Sequence, residues 1–187
     1  MEAIKKIVNQ IIDIGSLENK TTVFLIGNTT KVEDTEFYLS PIRNYNQIVV
    51  AGAIVFGEGV AKKIAKIIDG LVDYVFVDSE KKILDNHSVS TTPGNIERAV
   101  RETVVNSTLV SYKANDLTVD AADSFIVEYF SHDIASVGGK KTAIIGAGNI
   151  GSKIAIKLVE RGSDVSLYRR DIEKLNLAVD YINSTKT

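Results

Sequence analysis

Apolar residues recur along this chain at two periods, and the alternation between them lays out a sequence of elements. Ile4, Ile7, Val8, Ile11 and Ile12 share one face of a helix over residues 3–14. Thr22 to Ile26 is a short apolar run that ends at Gly27-Asn28 and reads as a buried strand. Residues 29–46 are polar, contain Pro41 and read as a loop. Gln47 to Phe56 is a second buried strand, and Gly57 to Asp69 a helix turned inward through Val60, Ile64, Ile67 and Ile68. Val72 to Val77 is a third strand, closed by Asp78. A loop from Ser79 to Gly94, around Thr91-Thr92-Pro93, leads to a helix from Asn95 to Val105 and a short strand from Thr108 to Tyr112. Strands separated by a crossing helix pair in parallel, so this half is expected to be a small α/β unit.

The second half repeats the alternation more compactly. Leu117 to Phe130 is a helix with Ala122, Phe125, Ile126, Tyr129 and Phe130 on one face, and Gly138-Gly139 follows as a hinge-like pair. Thr142 to Ile145 is an apolar strand, then a helix presents Ile150, Ile154, Ala155, Leu158 and Val159 until Gly162 stops it. Val165 to Tyr168 is a further strand, and Ile172 to Ile182 a last helix. The expected organisation is an α/β fold with a substrate-type domain over residues 1–116. Residues 117–187 supply a linking helix and the first half of a Rossmann-type dinucleotide-binding domain. Such a fold normally continues through a third strand and a second half, so either the chain is shortened or its sheet edge is supplied otherwise.

Between that strand and helix lies Gly146-Ala147-Gly148-Asn149-Ile150-Gly151, a G-x-G-x-x-G motif in the context that gives it meaning. Gly146 allows the tight turn, Gly148 lets the backbone approach a pyrophosphate, and Gly151 lets helix and strand pack closely. The helix N-terminus adds unpaired N–H groups and a positive dipole end. All six residues are therefore expected to bind cofactor. Enzymes preferring NAD carry an acid at the end of the next strand, to hold the ribose 2′-hydroxyl. Here that position is Arg169, followed by Arg170. Two guanidiniums suit a phosphate, so NADP is the expected cofactor. Asp171 keeps NAD as the less favoured alternative.

Composition narrows the chemistry. The 187 residues are 44% hydrophobic and 25% charged, with a net charge of −2, and no basic stripe with interleaved aromatics suggests nucleic acid. There is no cysteine, which excludes disulfides, thiolate metal sites and a cysteine nucleophile. Only His87 and His132 could offer imidazoles, so no metal site is expected. The first residues lack the apolar core of a signal peptide and no run reaches membrane-spanning length, so the expected setting is cytoplasmic, with no membrane partner. A small-molecule substrate is the expected partner, with a homodimer as one option for assembly.

In this order of elements the chain resembles the shikimate dehydrogenase superfamily, in which an α/β substrate domain precedes an NADP-binding domain. Arg169-Arg170-Asp171 sits where that family has Asn-Arg-Thr, which puts Arg170 on the arginine that receives the 2′-phosphate. Leu25-Ile-Gly-Asn28 resembles the family's first strand and its glycine. Tyr38-Leu-Ser-Pro-Ile-Arg-Asn-Tyr45 resembles its carboxylate-holding Ser-x-Ser-Pro-x-x-His-Asn, keeping Ser40 and Pro41 while Tyr38, Asn44 and Tyr45 depart. Val105-Asn106-Ser107 resembles Val-Asn-Thr, and Thr118-Val119-Asp120 resembles Asn-Thr-Asp. The resemblance implies Ser40 and Asn106 as substrate-binding residues and Asp120 as a catalytic one. The lysine that should accompany that aspartate, in Val-Thr-x-Pro-x-Lys, falls on Asn95. An amide cannot take the proton that leaves a hydroxyl as its carbonyl forms. Lys113 is the candidate to replace it.

The expectation is an NADP-dependent oxidoreductase that moves hydride to or from a small polyhydroxylated or carboxylated substrate. Two other readings stand beside it: a sensor or interaction protein that binds NAD(P) without turnover, and an inactive N-terminal fragment of a longer dehydrogenase. Ser40-Pro41 also fits a plain turn, and Asp120 also fits the acid favoured early in a helix.

Overall fold

The computed structural model describes residues 1–29, 35–80 and 95–185. They form two compact units, Met1–Lys113 and Ala114–Thr187. The loop expected around Thr91-Thr92-Pro93, with His87, lies outside the described residues.

In the first unit, α1 (Glu2–Glu18) precedes β1 (Thr21–Asn28), β2 (Phe37–Leu39), β3 (Arg43–Asn44), β4 (Ile48–Val55), α2 (Glu58–Ile68), β5 (Tyr74–Asp78), α3 (Ile96–Arg101) and β6 (Thr108–Tyr112). The sheet order is β2-β4-β1-β5-β6, with β3 also on β4. Strands β4, β1, β5 and β6 run parallel, and β2 and β3 are antiparallel additions to the edge. Register sets Phe24 beside Ala51 and Val75, and Ile26 beside Ala53 and Val77. All six side chains are buried in one core with Ile4, Val8 and Ile11 of α1, Ile64 and Ile68 of α2, and Ile96 and Val100 of α3. The opposite parity, Val50, Ile54, Leu25, Tyr74 and Phe76, forms the other face, where Ile54 and Tyr74 are exposed.

Three departures from the sequence reading have local causes. Helix α1 runs past Ile14 to Glu18, because the next inward position is Gly15, which has no apolar side chain to show the period. A Cβ there would stand 2.5 Å from Thr22 Cγ2. The polar segment read as a loop contains β2 and β3, whose partner β4 supplies the order that their own composition does not. Helix α3 is shorter than the expected 95–105. Asn95 starts it, its side-chain oxygen accepting the Arg98 N–H at 2.9 Å.

The second unit holds α4 (Ala114–Tyr129), β7 (Lys141–Ile145), α5 (Asn149–Glu160), β8 (Asp164–Tyr168) and α6 (Ile172–Ser184). Strands β7 and β8 pair in parallel, Ile145 beside Tyr168, so β7-α5-β8 is a parallel βαβ unit of Rossmann type. Helix α5 buries Ala155 and Leu158. Helix α4 corrects the sequence reading. Of the apolar face read from its period, Phe125 is 74% and Tyr129 79% exposed while Ala122, Ile126 and Phe130 are half-buried, and Val119 and Asp123 are the buried positions. Acids at i, i+4 and i+7 face α5: Asp116 pairs with Lys153, Asp120 with Lys157 at 3.1 Å, and Asp123 with Arg161 at 2.7 Å, all on or just after α5. Gly138-Gly139 is tied down rather than hinge-like, the Gly139 N–H donating to the Gly162 carbonyl at 2.9 Å.

Candidate functional site

Strand β7 must turn sharply into α5, and two of the three glycines meet separate demands of that turn. Gly146 has φ +101°, a conformation that L side chains rarely adopt. Gly151 lies so close under the loop that a Cβ would collide with the Gly146 carbonyl oxygen and sit 3.3 Å from Ile144 Cγ2. Gly148 needs neither concession. Its φ of −88° and ψ of −160° suit any residue, and a Cβ would meet no atom within 4 Å. Gly148 therefore leaves its backbone bare toward the space beside the loop.

The bonding of the loop is complete on the strand side and open on the other. The Tyr168 carbonyl accepts the Gly146 N–H at 2.9 Å and the Ala147 N–H at 3.2 Å, and the Gly148 N–H turns back to the Gly146 carbonyl at 2.7 Å. Asn149 and Ile150 open α5, whose first N–H groups have no acceptor within the helix. No side chain caps this end and its first turn carries no acid, so the positive end of the dipole is uncompensated from within. Beside the loop lies a cavity of about 700 Å³ lined by Ile145, Gly146, Gly148, Tyr168, Arg169, Arg170 and Asp171. The floor is apolar, with Ile145 89% and Tyr168 57% exposed.

The two arginines differ. Arg169 is half-buried and its NH1 donates to the Ala147 carbonyl at 2.8 Å, while Arg170 is exposed at the wall of the cavity. Asp171 is committed to α6: one carboxylate oxygen accepts the Lys174 N–H at 3.1 Å and the other pairs with the Lys174 ammonium. Those bonds hold its carboxyl below the usual range.

The expected substrate residues do not converge. Ser40 follows the edge strand β2, its N–H donating to the Gly52 carbonyl at 2.8 Å. Asn106 lies before β6, at the opposite edge, where its N–H and side-chain amide both donate to the Asp69 carboxylate at 2.9 Å. Edge to edge in β2-β4-β1-β5-β6 is four strand spacings, about 19 Å, too far for both to hold one small molecule. Lys113 directly follows β6, at the carboxyl end of the parallel strands. Asp120 is engaged with Lys157 in the ladder between α4 and α5.

One feature of the first unit escaped the sequence reading. Asn28, at the end of β1, reaches across to the end of β5, its Nδ2 donating to the Glu80 carbonyl at 2.9 Å. Its Oδ1 is buried and, among the described residues, has no hydrogen-bond partner. Here the strand order reverses direction, the usual crevice of open α/β sheets. Nearby, burial and then the Asp78 and Glu80 carboxylates push the Tyr112 hydroxyl up to about 12. No pattern of spacing announces this meeting of loop ends.

Among the described residues no cluster of His, Cys, Asp and Glu could hold a metal, and no helix is long and apolar enough to cross a membrane. Residues 141–186 match the family described as NADP oxidoreductase, coenzyme F420-dependent. The match spans β7 to α6, and its description is that of an NADP oxidoreductase family other than the shikimate dehydrogenases expected from the sequence. Comparison with curated proteins finds no match. Among solved structures the chain is similar to a dipicolinate synthase subunit from Bacillus halodurans, at 15% identity and a TM-score of 0.32. The likeness covers 87% of this chain and 66% of that one, so the chain spans about two thirds of that protein's length.

Proposed function

We propose that the second unit binds NADP(H) and that the chain is an NADP-dependent oxidoreductase acting on a small polyhydroxylated or carboxylated substrate. The observation that carries this is Gly148, a loop glycine with no folding reason, facing a cavity with Arg169 and Arg170 at its rim. The match of residues 141–186 to an NADP oxidoreductase family supports it. Gly146 to Gly151 and the first turn of α5 would hold the pyrophosphate, Arg170 the 2′-phosphate, and the Ile145–Tyr168 floor an apolar ring. The bound nicotinamide would supply the hydride. Lys113, at the carboxyl end of the first sheet, remains the residue proposed to manage the proton.

A second reading, an NADP(H)-binding protein without turnover, is favoured by Asn95 and Asp120. Asn95 caps α3 where the resembling family has its lysine, and Asp120 is paired with Lys157. Incubation with NADPH or NADP and a panel of polyols, hydroxy acids and oxo acids separates the two, followed by nicotinamide absorbance. Coenzyme F420 joins the panel because the matched family's description names it. Turnover with any member, lost in Lys113→Ala, supports the enzyme. Tight NADPH binding with no turnover supports the sensor.

A further inference from the structure

Two adjacent arginines at one strand end invite a single role, yet their surroundings differ. Ala147 is fully buried, and β8 with the residue after it grips it on both sides. The Tyr168 carbonyl takes its N–H at 3.2 Å, and the Arg169 guanidinium donates to its carbonyl at 2.8 Å. The peptide that carries this carbonyl also carries the Gly148 N–H, which is held by the Gly146 carbonyl at 2.7 Å. Arg169 therefore fixes the peptide plane from which the first turn of α5 departs. Arg170 stands exposed on the same cavity.

We propose that the two arginines divide the dinucleotide: Arg169 is a positioning residue that latches the glycine loop into its pyrophosphate-binding shape, and Arg170 alone reads the 2′-phosphate. The proposal rests on the NADP reading above. A latch on the loop serves any dinucleotide, because NADPH and NADH share the pyrophosphate. A contact to the 2′-phosphate serves only NADPH. Affinity and selectivity then sit on neighbouring side chains, and the NADPH-to-NADH ratio is set by Arg170.

The test is calorimetric titration of the full chain with NADPH and with NADH, the latter taken to concentrations that reach half-saturation, for the wild type, Arg169→Ala, Arg169→Lys and Arg170→Ala. Loss of a charged hydrogen bond predicts that Arg169→Ala weakens both cofactors by about tenfold and leaves their ratio unchanged. Arg169→Lys, which keeps a donor, recovers part of both. Arg170→Ala weakens NADPH by roughly tenfold or more and leaves NADH alone, so the ratio collapses. Thermal melting of each variant accompanies the titrations. If Arg169→Ala lowers NADPH but spares NADH, Arg169 is a second phosphate ligand and the division is wrong, while the NADP reading survives. A large fall in its melting temperature with loss of both cofactors reduces Arg169 to a structural residue and overturns the proposal. Wild-type protein that binds NADPH but never NADH also overturns it, since the latched loop should hold a pyrophosphate unaided. Failure to bind either cofactor removes the NADP reading and the proposal together.

Discussion

Replacing Gly148 by alanine should leave the second unit folded and cripple cofactor binding, whereas Gly151→Ala should damage the fold itself. The backbone at Gly148 (φ −88°, ψ −160°) admits alanine, and the added methyl meets no atom within 4 Å. Alanine is a poorer N-cap than glycine by up to about 1 kcal/mol. It also loses less backbone entropy on folding, which returns about 0.4–1 kcal/mol. The two nearly cancel, and the melting temperature should move by no more than a few degrees. On the proposed NADP(H) reading, the same methyl would intrude on the pyrophosphate. Forcing a methyl into an occupied contact costs roughly 1–3 kcal/mol, or about 5- to 150-fold in Kd. At Gly151 the methyl collides with the Gly146 carbonyl and crowds Ile144, so α5 must lift off β7. That should cost roughly 1–3 kcal/mol of stability. The assay is thermal melting of each variant, alone and with saturating NADPH, beside a direct titration. Gly148→Ala protein that binds NADPH as tightly as the wild type would refute the reasoning, because the bare backbone would then have no ligand to meet.

Three further outcomes follow from the geometry. Arg161, bonded to Asp123 at 2.7 and 3.1 Å, holds that carboxyl below its ordinary value. The lowered pKa means the pair stabilises the fold above the ordinary carboxylate pKa, near 4, and the contribution is lost as pH falls through the lowered value. Asp123→Asn should cost about 2 kcal/mol at neutral pH, less than for a fully buried pair because Arg161 is half exposed, and the gap should close in acid melts. Tyr112, raised to about 12, should ionise well above the ordinary tyrosine range, and an alkaline absorbance titration of the wild type against Tyr112→Phe isolates its step. Its neutral form is favoured in the fold, so its contribution to stability should fall as pH rises past the ordinary tyrosine pKa near 10, and Tyr112→Phe should remove that share of the alkaline dependence. Asn95→Ala removes the α3 cap and should cost about 1 kcal/mol in chemical denaturation, with Asn95→Asp restoring most of it.

The sequence made the second unit's βαβ legible because each local signal there agrees with the fold. An apolar strand, glycines at the fixed offsets and a helix with one apolar stripe all require the same structure. In the first unit the parallel strands were equally plain. Strands β2 and β3 were not, since two or three residues in a polar segment become a strand only when β4 is beside them. Helix α4 was legible as a helix, but its packing was not. Its apolar stripe is genuine, yet Asp116, Asp120 and Asp123 turn toward the bases of α5 and its C-cap, and the hydrophobic pattern does not record where a partner helix keeps its charges. Ser40 and Asn106 stand in the expected order along the chain but on opposite edges of the sheet, a placement that order along the chain does not reveal. The arginine pair was visible in the sequence. Only the structure shows Arg169 bonded to Ala147, because that bond spans 22 residues and depends on the turn that Gly146 makes.

The central claim is that the second unit is an NADP(H) site, and calorimetric titration of the wild-type chain with NADPH and separately with NADH tests it most directly. Saturable binding of both is expected, with NADPH the tighter, and loss of that preference in Arg170→Ala. Heats no larger than dilution for both cofactors would contradict it, and the oxidoreductase reading would fall with the site.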